Sequence, residues 1–150
     1  MENCKICEGS KNSNNLAFET KLWKATLADD QYYLGRCFID LKRHASSLSE
    51  LTKEEILDFL DVVKKIESAL KKSFNAEMFN WTCLMNNAYK NTPSNPHVHW
   101  HFRPRYRDKF EFLDLIFEDK EFGHHYERKT DRILPEDIRT KIIERIRENL

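Results

Sequence analysis

The stretch NPHVHWHFRPRY, residues 95–106, places a histidine at every second position three times, with a large apolar residue after each one. Such alternation, rich in β-branched and aromatic residues, predicts a β-strand. Successive side chains of a strand point to opposite faces and rise about 3.3 Å per residue, so His97, His99 and His101 form one row. The stretch therefore predicts a strand with three imidazoles on one face and an apolar surface on the other.

Two further segments predict strands before the histidine strand. Residues 16–27 and 34–41 carry apolar and β-branched residues on either side of a polar turn at 29–31, which predicts a β-hairpin. Residues 78–86 predict another strand, which leads through a polar loop into the histidine strand.

Two helices complete the predicted elements. Residues 51–74 begin with Thr52 and Glu55 in the spacing of a capping box, and a second helix follows Pro135. The apolar stripe predicted for the first helix comprises Ile56, Leu60, Val63, Ile66, Leu70 and Phe74, and that of the second Ile138, Ile142, Ile146 and Leu150. This order of elements predicts an α+β fold: an antiparallel sheet with a long helix packed on one face and a C-terminal helical tail.

Composition limits what this fold does. A chain of 150 residues that is 40% hydrophobic suits a single domain over residues 1–150. No stretch approaches the roughly 18 apolar residues of a membrane span, and the amino terminus lacks an apolar signal region, so we expect a cytoplasmic protein. Four cysteines then indicate metal binding, redox chemistry or core thiols. The net charge of zero gives no indication of an extended nucleic-acid or membrane surface.

The histidine row is compatible with three kinds of chemistry. It could be a solvated strand face, a zinc site formed by histidines at i and i+2, or a phosphoryl-transfer site in which an imidazole attacks phosphorus. Three arginines follow, at Arg103, Arg105 and Arg107, and their guanidinium groups match phosphate oxygens in geometry and charge. These arginines favour the phosphoryl-transfer hypothesis, although a solvated strand end is an equally simple role for them.

The row resembles the signature of the histidine triad proteins, His-φ-His-φ-His-φ-φ with φ apolar. HVHWHF matches six of the seven positions, and Arg103 takes the seventh. The resemblance extends over roughly residues 4–106 and leaves 107–150 as an extension. It implies an α+β fold, a homodimer, and a hydrolase or nucleotidyl transferase that acts at the α-phosphate of a nucleotide. Two alternatives stay open: a zinc enzyme that uses the row as metal ligands, and a nucleotide-binding module without turnover.

The resemblance also implies roles for individual residues. His99 would be the nucleophile that forms a covalent nucleotidyl-histidine, and His101 would contact the phosphate and assist the leaving group. Ser94 lies where the family places a Ser or Thr that contacts phosphate. The substrate would be a nucleoside phosphate derivative such as a dinucleoside polyphosphate or a nucleoside phosphoramidate.

Three residues are candidates for binding the nucleotide. Asn86 lies where the family has Asn or Gln, and Arg105 is the candidate among the arginines. The ribose-binding Asp or Asn of the family aligns with Ala28, which leaves its neighbour Asp29 as a possible substitute. Thr92-Pro93 replaces the usual Gly-Gln, so the backbone contacts to phosphate differ from the family pattern.

The CKIC sequence at residues 4–7 has the spacing of two thiolates on one zinc ion. In many bacterial histidine triad proteins and in galactose-1-phosphate uridylyltransferases, the other ligands are a histidine after the second strand and the first histidine of the triad. The resemblance thus implies a structural zinc site formed by Cys4, Cys7, His44 and His97. The alternative is that the cysteines are frayed thiols near the amino terminus.

Overall fold

The strands of the main sheet and their order agree with the α+β prediction. The computed structural model describes residues 4–9, 14–90, 92–125 and 131–150. The five strands are β1 (Leu16–Glu19), β2 (Trp23–Leu27), β3 (Cys37–Leu41), β4 (Met78–Thr82) and β5 (His99–Arg105). They pair antiparallel in the order β1-β2-β3-β5-β4, so the histidine strand β5 lies inside the sheet.

Helices lie before, within and after this sheet. They are α1 (Lys5–Gly9), α2 (Lys53–Phe74) and α3 (Glu136–Arg147), with short 3-10 helices at Leu48–Glu50 and Asn86–Lys90. A separate two-stranded sheet consists of β6 (Phe110–Phe112) and β7 (Leu115–Phe117). No helix in the described ranges is both long and apolar enough to cross a membrane.

Helix α2 begins at the predicted capping box. The Thr52 hydroxyl accepts from the Glu55 backbone N–H at 3.2 Å, and the Glu55 carboxylate accepts from the Thr52 N–H at 2.8 Å. The helix ends where Asn75 adopts a left-handed conformation with φ of 60°. Because both ends carry such caps, the boundaries of this helix were predictable from local sequence.

The predicted apolar stripe of α2 is wrong in its first half. Val62, Ile66 and Ala69 face the core, whereas Ile56 and Leu60 are 49% and 47% exposed. The helix carries apolar residues on two adjacent stripes, and only one of them packs on the sheet. The other stripe remains uncovered by this chain's described residues.

The two faces of the main sheet have different environments. Alternate residues of β2 and β3, including Trp23, Ile39 and Leu41, are buried in the core shared with α2. The opposite face, which we call the histidine face, carries Phe38 and Asp40 directly beside His101 and His99 in the neighbouring strand. This face positions the site.

The predicted hairpin contains an additional turn. Residues 16–27 form two strands, β1 and β2, because the Asp58 carboxylate accepts from the Thr20 hydroxyl and the Leu22 N–H, both at 2.7 Å. Helix α2 supplies this carboxylate from more than 30 residues away, so no local sequence signal marks the turn. The predicted pairing of β2 with β3 is confirmed.

The histidine strand contains a proline. Strand β5 includes Pro104 and ends at Arg105. Beyond Phe102 the strand pairs only with β4, so one side has no ladder partner that needs the missing proline N–H.

The C-terminal part contains an unpredicted hairpin and the predicted helix. In the β6–β7 turn Leu113 and Asp114 have φ values of 49° and 60°, a conformation that glycine or asparagine would have signalled. Helix α3 buries Ile142 and Ile146 as predicted, whereas Leu150 is exposed.

Candidate active site and metal centre

His99 is held in one tautomer by its own strand. Its Nδ1 lies 2.8 Å from the carbonyl oxygen of His97, and an oxygen acceptor requires that this nitrogen carry the proton. Nε2 therefore has the free lone pair. The side chain is half-buried on the histidine face, with its ring centroid 4.9 Å from that of His101. In the neutral ring, this tautomer leaves the Nε2 lone pair available for attack.

His101 is a neutral neighbour of His99. Its Nε2 donates to the carbonyl of Leu84 at 3.2 Å, and Phe38 packs edge-on against its ring at 5.1 Å. Burial lowers its pKa to about 4, and the positive charges of Arg103 and Arg36 act in the same direction. Near neutral pH this side chain therefore offers a hydrogen bond through N–H rather than a positive charge.

The third histidine of the row belongs to a different cluster. His97 is buried, and its Nδ1 lies 3.3 Å from the sulfur atoms of both Cys4 and Cys7. The Cys7 sulfur lies 3.6 Å from Nδ1 of His44, which follows β3. All four ligand atoms lie within 4.8 Å of one another. Folding thus brings together the four residues predicted to hold zinc.

The chemistry of these four donors fits a tetrahedral zinc ion. Zn–S bonds of about 2.3 Å and Zn–N bonds of about 2.0–2.1 Å place tetrahedral ligand atoms roughly 3.3–3.8 Å apart. The Cys4–His97, Cys7–His97 and Cys7–His44 separations of 3.3–3.6 Å fall in this range. Nε2 of His97 donates to the carbonyl of Leu41 at 2.8 Å, as the outer nitrogen of a ligating histidine usually does. Without a cation, burial and the neighbouring Cys4 raise the pKa of Cys7 to about 11.

The loop before β5 carries two of the predicted phosphate contacts. Asn86 begins the 3-10 helix, and Ser94 lies five positions before His99; both side chains are exposed. Neither makes a side-chain hydrogen bond within the described part of the chain.

Asp29 lies on the connection between β2 and β3. Its carboxylate accepts from Asn15 at 2.9 Å and lies 3.7 Å from the Arg139 guanidinium, with most of its surface exposed. No contact among the described residues joins Asp29 to the histidine row.

Arg105 serves a purpose other than the predicted nucleotide contact. Its side chain is 1% exposed and forms a bidentate ion pair with the buried Asp119, with N–O distances of 2.6 and 3.1 Å. Its remaining N–H groups donate to Asn80 and to the carbonyls of Glu121 and His124. Because all five donors of the guanidinium are engaged, the prediction that Arg105 binds the nucleotide is not supported.

Asp40 is a site residue that the sequence patterns above did not identify. It lies directly opposite His99 on β3, half-buried on the histidine face. Burial raises its pKa to about 6, against the opposing influence of His99 and Lys24. The signal was present in the FIDL sequence, because Asp40 alternates with two residues that a strand would bury.

The fold and the site together define an α+β protein that presents paired imidazoles beside a closed set of two cysteine and two histidine ligands. The HIT domain family model matches residues 10–108. The match covers well over half of the chain, and the chain belongs to the HIT domain family.

Two curated relatives come from Schizosaccharomyces pombe. The adenosine 5′-monophosphoramidase is 31% identical over 71% of this chain and 75% of its own length. The asymmetrical bis(5′-nucleosyl)-tetraphosphatase is 27% identical over 69% of this chain. The aligned region spans only 56% of the tetraphosphatase, little more than half of that relative.

Among solved structures, a Zn-bound histidine triad family protein from Mycobacterium smegmatis has a TM-score of 0.65. It is 15% identical, and the superposition covers 98% of this chain and 92% of that one. At this identity the likeness supports the fold alone.

Proposed function

We propose that the protein is a histidine triad hydrolase or nucleotidyl transferase that acts at the α-phosphate of a nucleoside phosphate derivative. The observation that carries this proposal is the hydrogen bond from His99 Nδ1 to the carbonyl of His97, which leaves Nε2 as a nucleophile. The Nε2 lone pair forms an N–P bond while the bond from phosphorus to the leaving group breaks. Water or another acceptor then attacks phosphorus, and the electron pair of the N–P bond returns to Nε2.

The names of the relatives support two classes of substrate. One relative is a bis(5′-nucleosyl)-tetraphosphatase and the other a monophosphoramidase. Both names describe cleavage of a bond to a nucleotide phosphate, which is the step that His99 would perform. We therefore propose dinucleoside polyphosphates and nucleoside phosphoramidates as the substrates to test.

The neighbouring side chains have supporting roles in this proposal. His101 and Ser94 donate hydrogen bonds to phosphate oxygens, which stabilises the charge that develops in the transition state. For this, His101 exchanges its bond to the Leu84 carbonyl for one to the substrate. Asn86 contacts the phosphate from the loop, and Asp29 binds the ribose.

The experiment is a turnover assay on diadenosine tetraphosphate and adenosine 5′-phosphoramidate. We expect wild-type protein to release AMP and a quenched reaction to show one nucleotidyl mass adduct on the peptide containing His99. His99→Ala should lose at least about 10³-fold in rate while it still binds AMP, whereas His124→Ala, which removes an exposed imidazole away from the row, should not. An adduct on another residue, or an active His99→Ala variant, contradicts the mechanism.

We further propose that Cys4, Cys7, His44 and His97 hold one structural zinc ion. The support is the donor geometry of the four side chains. All four ligand positions are filled by protein atoms, which is typical of a structural rather than a catalytic zinc site. None of the four cysteines forms a disulfide, and the proposal includes a cytoplasmic location.

A homodimer is part of the same proposal. Ile56, Leu57 and Leu60 are 49%, 66% and 47% exposed on one side of α2. The adjacent strand β4 is an edge strand of the sheet and is only half-buried. A second copy of the chain would cover both the apolar stripe and the open strand edge.

A further inference from the structure

Asp40 lies at the centre of a row of ionisable side chains that crosses three strands. It pairs with Lys24 of β2 on one side and with His99 of β5 on the other. Directly opposite residues of antiparallel strands have Cβ atoms about 4.5–5.5 Å apart and point to the same face. The Asp40 carboxylate and the His99 imidazole are therefore neighbours on the histidine face.

Burying the Asp40 carboxylate at this position is energetically unfavourable. The side chain is half-buried and makes no hydrogen bond within the described residues. Its desolvation raises its pKa to about 6. His99 and Lys24, which face Asp40 from the neighbouring strands, act against this shift. An apolar residue would stabilise this position more than an unbonded carboxylate does.

We infer that Asp40 is a positioning residue that stabilises the positive charge of nucleotidyl-His99. The inference rests on the proposed function, because that charge exists only if His99 attacks phosphorus. When the Nε2 lone pair forms the N–P bond, the Nδ1 proton remains on the ring in its bond to the His97 carbonyl. The leaving group departs with its electron pair, and the imidazole ring gains one positive charge. A carboxylate in the next strand stabilises this cation and the transition state that precedes it.

Lys24 influences the charge state of Asp40. Its ammonium group favours the ionised form of Asp40, because an opposite charge nearby lowers the pKa of a carboxyl group. Because its pKa of about 6 lies below neutral pH, Asp40 is mostly ionised near pH 7 before the substrate arrives. The electrostatic environment is preorganised, and no proton needs to move between Asp40 and His99.

The size of the effect follows from the separation. Two unit charges about 6 Å apart at an effective dielectric constant of about 20 attract each other enough to change a rate by roughly 100-fold. Water at the half-buried site and the opposing charge of Lys24 reduce this value. We therefore expect a contribution of about 10- to 50-fold to the formation of the nucleotidyl-histidine.

The test compares Asp40→Asn, Asp40→Glu and the exposed control Asp61→Asn by rapid-quench measurement of adduct formation from diadenosine tetraphosphate. We expect Asp40→Asn to slow adduct formation about 10- to 50-fold with little change in KM, zinc content or melting temperature. Asp40→Glu should restore part of the rate, because it restores the charge. Asp61→Asn should behave as wild type. A purely structural role would lower stability and zinc content instead.

Two outcomes contradict the proposals in distinguishable ways. If wild-type protein forms the adduct and Asp40→Asn forms it within threefold of the same rate, Asp40 does not stabilise the intermediate. If wild-type protein forms no adduct with either substrate, the proposed function is wrong, and with it the role of Asp40. Should Asp40→Asn fail to fold, Asp40→Leu removes the charge with a side chain of similar volume and is measured in its place.

Discussion

At the residue scale, the two histidines of the site differ in what their backbone partners require. His99 donates through Nδ1 to the strand that carries it, whereas His101 donates through Nε2 to Leu84 before the loop. Each carbonyl selects one tautomer, and the selected tautomers differ. His99, the proposed nucleophile, thus has Nε2 available for the substrate, whereas His101 has an N–H group there.

His101 should remain neutral at pH values where a free histidine is charged. Burial lowers its pKa to about 4, so in an NMR titration its ring protons should show no midpoint between pH 8 and pH 5.5. In urea-unfolded protein the same residue should titrate near 6.5. A midpoint above pH 6 in the folded protein would contradict this prediction.

The same shift predicts how stability depends on pH. Between pH 6.5 and 4 the unfolded chain binds a proton at His101 that the folded chain excludes, so this residue lowers the free energy of unfolding as the pH falls. Urea denaturation of wild type and His101→Gln at pH 7.5 and pH 5 measures the effect. The glutamine variant should lose less stability on acidification than wild type, and equal losses would argue against the shift.

At the element scale, the turn that carries His44 is attached to the start of α2. Arg43 donates to both oxygens of Glu55 at 2.5 and 2.8 Å, and Glu55 is also the capping-box residue. The Arg43 hydrogen bond is the largest cause that lowers the pKa of Glu55 to about 2. One carboxylate thus caps the helix and orients the turn that carries His44, a proposed zinc ligand.

Glu55→Gln should destabilise the protein by about 1–2 kcal/mol near neutral pH, a value reduced from the full shift because Arg43 is half-exposed. The lowered pKa means that the contribution is present above pH 4.5 and is lost as the pH falls towards 2. Urea denaturation should therefore show a difference between variant and wild type at pH 7 that narrows at pH 3. Glu54→Gln, which alters the exposed neighbouring carboxylate, is the matched control.

The four proposed zinc ligands connect α1 to the histidine strand. Cys4→Ser and His44→Ala should each lose zinc, measured by elemental analysis, whereas His99→Ala should retain one zinc ion per chain. Because a structural zinc ion contributes to folding, the cysteine variant should lose more in melting temperature than in the rate of the chemical step. Wild-type protein that is free of metal after purification without chelator would contradict the prediction.

At the scale of the whole molecule, local sequence patterns predicted most of the helices and strands. The features that differed from prediction depend on tertiary contacts. The alternation around His99 and the capping box at Thr52 are local patterns, and both predicted their elements. The turn after β1 depends on Asp58 of α2. Arg105 is buried in an ion pair with Asp119 of the C-terminal part. Neither partner is adjacent in sequence, so neither outcome was predictable from local spacing.

In the candidate site, too, some residues were predictable from local sequence patterns and others depend on tertiary contacts. The CKIC spacing is local, but its partner His97 lies 90 residues from Cys7 and was identified only through resemblance to a family. Asp40 is absent from that family pattern, and only the register between β3 and β5 places it beside His99. Residues that depend on strand register become visible when the sheet is known.

The exposed stripe of α2 gives the last prediction, which concerns the assembly. Three large apolar residues, Ile56, Leu57 and Leu60, are exposed next to the open edge of β4, and an interface there would bury both. Light scattering at micromolar concentration should give twice the 18.0 kDa chain mass for wild type and the monomer mass for Leu57→Glu. Ile116→Glu, which places the same charge on the exposed apolar surface of β7, should remain dimeric. A charge buried in an apolar contact is costly only where that contact exists. A monomeric wild type would therefore contradict the prediction. A dimer that Ile116→Glu disrupts and Leu57→Glu does not would show that α2 is not the interface.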